Sequence, residues 1–209
     1  MEIKLISYNK KIKEDYVLKD INYTFKQGNI YGLIGKNGSG KTMLLKAMSG
    51  FLRPSNGKVI VNDQELYLKE EFPKDMGVMI GNCEYIKDMT GKDNLKYLAS
   101  LLKKIDDDRI NEVIDIVNLT DEKDKLVKKY SLGMKQKLGI AQAIMEYPKI
   151  LLLDEPFNGI DNESVFKIKK YLYSIKKDTI IIIATHYKED IDNFCDSIIK
   201  LENGTIINN

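Results

Sequence analysis

Gly35-Lys36-Asn37-Gly38-Ser39-Gly40-Lys41-Thr42 follows the apolar run Ile30-Tyr31-Gly32-Leu33-Ile34 and leads into Lys41 to Phe51, a stretch of helical character. Strand, glycine-rich turn and helix form the context in which a GxxxxGK[ST] pattern binds phosphate. Each residue type has a physical reason. Gly35, Gly38 and Gly40 free the backbone for unusual torsions, so successive amides, including those of Asn37 and Ser39, approach phosphate oxygens without a Cβ clash. Lys41 adds a positive charge between the β- and γ-phosphates and thereby serves both binding and catalysis. Thr42 offers a hydroxyl to Mg²⁺, and the helix that starts there directs its positive end at the anion.

A second constellation lies further along. Ile150-Leu151-Leu152-Leu153 is a buried strand ending in Asp154-Glu155, and open α/β sheets bind ligands at that end of their strands. Adjacent side chains on a strand point differently. Asp154 is therefore read as the Mg²⁺ ligand and Glu155 as the base that polarises an attacking water. His186, the only histidine, follows the apolar strand Thr179 to Ala184 and should reach the same edge as a γ-phosphate contact.

Outward from these motifs, the 209 residues include 33 Lys+Arg and 31 Asp+Glu, a net charge of +2. No global field draws the chain to nucleic acid, which is excluded as a partner on this ground. Only Arg53 and Arg109 of the basic residues are arginine. The longest apolar run, Ile180 to Ala184, is far short of the ~20 residues that cross a bilayer. The N-terminus has no apolar segment of the secretory kind. Cys83 and Cys195 lack metal-site spacing and read as incidental small apolar residues.

Strands are expected at Glu2 to Tyr8, Val17 to Phe25, Ile30 to Gly35, Lys58 to Asn62 and Met76 to Ile80. Two amphipathic helices should occupy Asp93 to Asn118, with Asp106, Asp107 and Asp108 at a helix start. Then follow a helix over Ser131 to Met145, the strand ending at Asp154, a helix over Glu163 to Lys176, the strand over Thr179 to Ala184, and a hairpin over Ile198 to Ile207. The pattern is a single α/β domain. Approximately residues 1–81 and 136–209 form its core, and approximately 82–135 an inserted all-α lobe.

In motif order the chain resembles the ATP-binding cassette (ABC) ATPases. Tyr130-Ser131-Leu132-Gly133-Met134 looks like a variant of the family's signature Leu-Ser-Gly-Gly-Gln, with Ser131 and Gly133 retained. Asn158-Gly159-Ile160-Asp161 resembles the loop that links two active sites in a dimer. The resemblance implies a P-loop NTPase core of RecA-like type, an antiparallel β subdomain and the inserted helical subdomain. It further implies an ATPase using ATP and Mg²⁺ in a head-to-tail homodimer, with Ser131, Gly133 and Asp161 completing the partner's nucleotide site. Tyr8 stands where the family stacks an aromatic on adenine, with Tyr16 as second candidate.

One departure is visible. Where the family carries a glutamine before a threonine such as Thr90, this chain has Gly81-Asn82, so either the register is off by one or the coupling loop is altered. The resemblance also implies a transmembrane permease subunit docking near Gly81 to Tyr97, hence a place on the cytoplasmic face of the membrane. The compact chain ending at Ile206-Ile207-Asn208-Asn209 and the form of its signature resemble exporters of drugs, antimicrobial peptides or surface polymers. A soluble ATPase or nucleotide-operated switch without a membrane partner is the alternative.

Overall fold

The apolar and charged residues that alternate at the N-terminus build long strands. The computed structural model of the chain describes residues 1–68 and 72–207, so Asn208 and Asn209 lie outside the described residues. β1 (Glu2–Ile12) and β2 (Asp15–Lys26) form an antiparallel hairpin, and β3 (Ile30–Ile34) leaves it for a second sheet. After α1 (Lys41–Met48), β4 (Asn56–Val61) returns to pair with β1, and the short β5 (Gln64–Glu65) pairs with β4. This four-stranded sheet has the order β2-β1-β4-β5.

The second sheet takes β6 (Met76–Met79), β7 (Ile150–Asp154), β8 (Ile180–Thr185), β9 (Ser197–Glu202) and β10 (Thr205–Ile207) in the order β10-β9-β3-β8-β7-β6. All its pairings are parallel except β10 with β9. Every residue of β7 and β8 is buried, as expected of strands covered on both faces. Ile150, Leu152, Ile180 and Ile182 pack with α1 and the first sheet, whereas Leu151, Leu153, Ile181 and Ile183 pack on the helical side. Burying each such side chain contributes about 1.5–3 kcal/mol. The period-two alternation thus supplies two cores from one pair of strands.

α2 (Gly91–Leu102) and α3 (Asp107–Ile116) form the helical lobe, each capped by its own sequence. Thr90 accepts from Asp93 N, and Asp106 accepts from Arg109 N. Asp107 and Asp108 fall in the first turn of α3, so the acidic run serves the helix start. α4 (Leu132–Ile144) runs without a break through the expected boundary at 135/136, and one helix therefore belongs to both lobe and core. α5 (Asn162–Ile175) covers the same side of the sheet.

The C-terminal end of α4 is held by Arg109, which is only 4% exposed. Its Nε donates to Met145 O at 3.1 Å and one Nη to Ile144 O at 2.9 Å and to the Tyr171 hydroxyl at 2.7 Å. The other Nη pairs with Glu112 at 2.8 Å. A planar fork of five donors fits this cluster, whereas a lysine would not.

α4 also lies very close to β6. A Cβ on Gly77 would sit 1.9 Å from Ala143 O, so only glycine allows the approach. Gly77→Ala is expected to cost about 1–3 kcal/mol by overpacking, a fall in Tm of roughly 2–4 °C per kcal/mol for a chain of this size. An unchanged thermal melt would contradict the close seating of α4 on the sheet.

Candidate active site

Parallel register brings three strand ends level. Ile34 pairs with Thr185 across β3 and β8, and Asp154 with Ala184 across β7 and β8. The residues that follow, Gly35, His186 and Glu155, therefore meet at one sheet edge although more than a hundred positions separate the first from the other two.

The loop from Gly35 to Thr42 uses its glycines in two ways. Gly38 and Gly40 take φ of 79° and 105°, which L side chains rarely adopt. Gly35 has no positive φ; its Cβ would collide with Leu201 O at 2.3 Å and Ser39 Oγ at 2.5 Å. Ser39 itself is buried within the loop. No side chain caps α1, so the first amides of the helix face the cavity rather than a cap. Lys41, 6% exposed, donates from Nζ to Gly35 O at 2.7 Å and Lys36 O at 3.2 Å and lies 3.9 Å from Glu155 Oε1. A cavity of about 710 Å³ opens here, lined by Tyr16, Asn37, Gly40, Lys41, Thr42 and Glu155 among others.

Thr42 Oγ1 donates to Asp154 Oδ2 at 2.7 Å, joining the phosphate loop to the acidic strand end. Asp154 Oδ1 is buried without a hydrogen-bond partner. Burial pushes the Asp154 carboxyl above its ordinary pKa, and the Thr42 hydroxyl opposes this; the nearby charge of Glu155 adds to the rise. Among the described residues, no three His, Cys, Asp or Glu side chains cluster so as to hold a metal by themselves.

Glu155 Oε1 and His186 Nδ1 are 2.8 Å apart. An ionised carboxylate only accepts, so in this pair Nδ1 carries a proton and Nε2 is left for another contact. Thr185 Oγ1 lies 3.1 Å from Glu155 Oε2 and 2.8 Å from Asp190 Oδ2, and its single proton serves one of them at a time. His186 shares with Gly35, Lys36 and Asn37 a second cavity of about 690 Å³ on the other side of the loop.

The remaining expected residues are distributed differently. Ser131 caps α4, accepting from Met134 N at 3.2 Å. Gly133 has a packing reason, since its Cβ would lie 2.4 Å from Gly159 O. Asp161 does not line the phosphate cavity. It caps α5 through Ser164 N at 2.9 Å and pairs with Lys137 Nζ at 2.7 Å, contacts that hold its carboxyl well below the usual range. Its nearest chemistry is that of a helix cap.

Tyr8 is corrected by the structure. It is fully buried in the core between the sheets, and its hydroxyl donates to Leu52 O at 2.6 Å, so its ring is not available to a ligand. A bulge explains the turn inward: from Leu5 to Tyr8 β1 advances three residues while β2 advances two, and Ser7 takes φ 42°. Tyr16 is 48% exposed and lines the cavity beside Lys41, with Lys11 Nζ 5.5 Å from the centre of its ring. Near Gly81 the chain follows β6: Met79 pairs with Leu153, Gly81 takes φ 68°, and its amide acts on the Asp154 carboxylate. Glycine thus stands at the acidic edge itself. Both cysteines are half-buried and free, and burial pushes the Cys195 thiol up to about 12.

The sequence pattern of the ABC transporter family matches residues 18–158. The chain belongs to the ABC transporter family. As an ATP-binding subunit of that family, it binds and hydrolyses ATP. It is 43% identical over 205 residues to the uncharacterized ABC transporter ATP-binding protein YybJ of Bacillus subtilis (strain 168), covering 98% of this chain and 94% of that protein. It is 33% identical over 190 residues to the bacitracin transport ATP-binding protein BcrA of Bacillus licheniformis, covering 90% of this chain and 62% of BcrA. Its fold matches a dimeric structure of MJ0796, a bacterial ABC transporter cassette, with a TM-score of 0.87 over 99% of this chain and 97% of that one, at 23% identity.

Two residues that lie in or beside the motifs, but were given no role of their own, also reach the site. Gln136 reaches Glu155 O across the chain, and Thr185 touches Glu155 beside His186. Their neighbours in sequence were the only pointer. For Tyr8, Tyr8→Phe should cost about 0.5–1.5 kcal/mol by removing one hydrogen bond and leave ATP affinity unchanged in calorimetry. A marked loss of affinity would return Tyr8 to the nucleotide site.

Proposed function

We propose that this ABC ATPase powers an exporter of small antimicrobial compounds, as a head-to-tail homodimer beneath a separate transmembrane permease at the cytoplasmic face of the membrane. The observation that carries the reading is the convergence of Lys41, the Thr42–Asp154 pair and the Glu155–His186 pair at one sheet edge. Among the described residues no helix is long and apolar enough to cross a membrane, which supports a partner that does so. The exposed side chains of Ile86 and Tyr97 offer that partner a surface. The bacitracin transport role in BcrA's name supports an antimicrobial cargo.

The chain's own groups divide the work. The amides at the start of α1 and the Lys41 ammonium bind the phosphates, and Tyr16 stacks on the adenine. Thr42 and Asp154 fit Mg²⁺, because a hydroxyl beside a buried carboxylate with one unpartnered oxygen is a hard-oxygen donor set. When bound, Mg²⁺ neutralises charge on the phosphates. Glu155 takes a proton from the attacking water, its carboxylate held by His186. With Nδ1 engaged by Glu155, Nε2 is the ring nitrogen that His186 turns to a phosphate oxygen. Ser131 and Gly133 face the nucleotide held by the second subunit, and the loop ending at Asp161 lies between the two sites.

Glu155→Gln keeps the shape and removes the base, so ATP turnover should fall at least about 10²-fold with ATP affinity retained. Near wild-type turnover would sink the assignment. Tyr16→Ala should weaken ATP binding roughly 5- to 150-fold, the loss of ~1–3 kcal/mol of base stacking. Unchanged binding by calorimetry would remove Tyr16 from the site.

A further inference from the structure

Glu155 is held in an uncommon backbone conformation. Its φ is 49°, in the left-handed region that a residue with a Cβ occupies only when its surroundings fix it there. Both sides of the residue are fixed. Glu155 N donates to Ala184 O at 2.7 Å, which anchors it to β8. Glu155 O accepts from Asn158 N at 3.3 Å within the following turn. The short contact on that carbonyl comes from elsewhere: Gln136 Nε2, on the first turns of α4, donates to it at 2.6 Å.

We propose that Gln136 is a positioning residue for Glu155. By gripping the carbonyl it sets the peptide that follows the carboxylate-bearing residue. The side chain is then aimed so that Oε1 meets His186 Nδ1 at 2.8 Å. The same contact ties the aim of Glu155 to the place of α4, whose opening residues Ser131 and Gly133 lie one turn before Gln136. A shift of the α4 start, which in the proposed dimer faces the other subunit's nucleotide, therefore pulls on the base of this subunit's own site. No motif residue of the phosphate loop makes this connection. The inference rests on Glu155 acting as the base.

Two near-isosteric substitutions remove the donor, Gln136→Met and Gln136→Glu, the latter also setting a carboxylate against the carbonyl oxygen. ATP turnover by the full chain would be measured with each, in the wild-type background and with Glu155→Gln, by single-turnover assay of labelled ATP. The Asn158 contact remains, so a partial loss is expected. The kcat should fall about tenfold, with KM for ATP within about twofold and the melting curve unchanged. In the Glu155→Gln background the same substitutions should alter the residual rate by less than about twofold, because an effect that acts through Glu155 has nothing left to act on. Equal losses in both backgrounds, a retained kcat, or a raised KM with a lowered melting temperature would overturn the proposal. If Glu155→Gln alone leaves turnover intact, it is the assignment of the base that fails, independently of Gln136.

Discussion

The parallel register of β3, β8 and β7 is the constraint on which the molecule's chemistry depends. A slip of one residue in either pairing would turn each strand's side chains to the opposite face. It would exchange the two cores and separate Thr42 from Asp154 at the same stroke. Register here is fixed by burial on both faces, since Ile150 to Leu153 and Ile180 to Ile183 have no polar face to offer solvent. Stability and site geometry thus share one cause.

Around that edge the electrostatics are finely divided. Asp154 is buried and resists ionisation, while Glu155, a quarter exposed, is met by His186 and approached by Lys41. Two adjacent carboxylates thus sit in different surroundings, in keeping with the different tasks proposed for them. The Lys41 ammonium is already engaged by carbonyls of its own loop. In the role proposed for Lys41, phosphate oxygens take the place of these carbonyls.

Much of this was legible in the sequence because its motifs are local. A glycine-rich turn with a lysine, or a strand ending in two acids, declares itself within eight residues. The element types followed from periodicity, and their ends shifted by one to four residues, as with β1, which runs on to Ile12. Tyr8 was misread because a bulge at Ser7 reverses the inside-outside alternation, and nothing in Ile6-Ser7-Tyr8 announces an extra residue. The short β5 was missed because two residues carry no period. Gln136 stands within the signature stretch, but its contact with Glu155 O was not legible, because carbonyls have no sequence identity. Gly81 was found as a departure, but its place at the acidic edge needed the β6–β7 pairing.

The Arg109 cluster gives α4 unequal ends. The rear of the helix is clamped by three guanidinium contacts to carbonyls and a phenol, and by the tight seat of Ala143 over Gly77. The front is held by hydrogen bonds from Tyr85 to Lys135 O and from Gln136 to Glu155 O, by the Lys137–Asp161 ion pair and by the close seat of Gly133 against Gly159 O. α4 is therefore fixed at both ends by unlike chemistry, a guanidinium on neutral acceptors at the rear and an ammonium–carboxylate pair near the front.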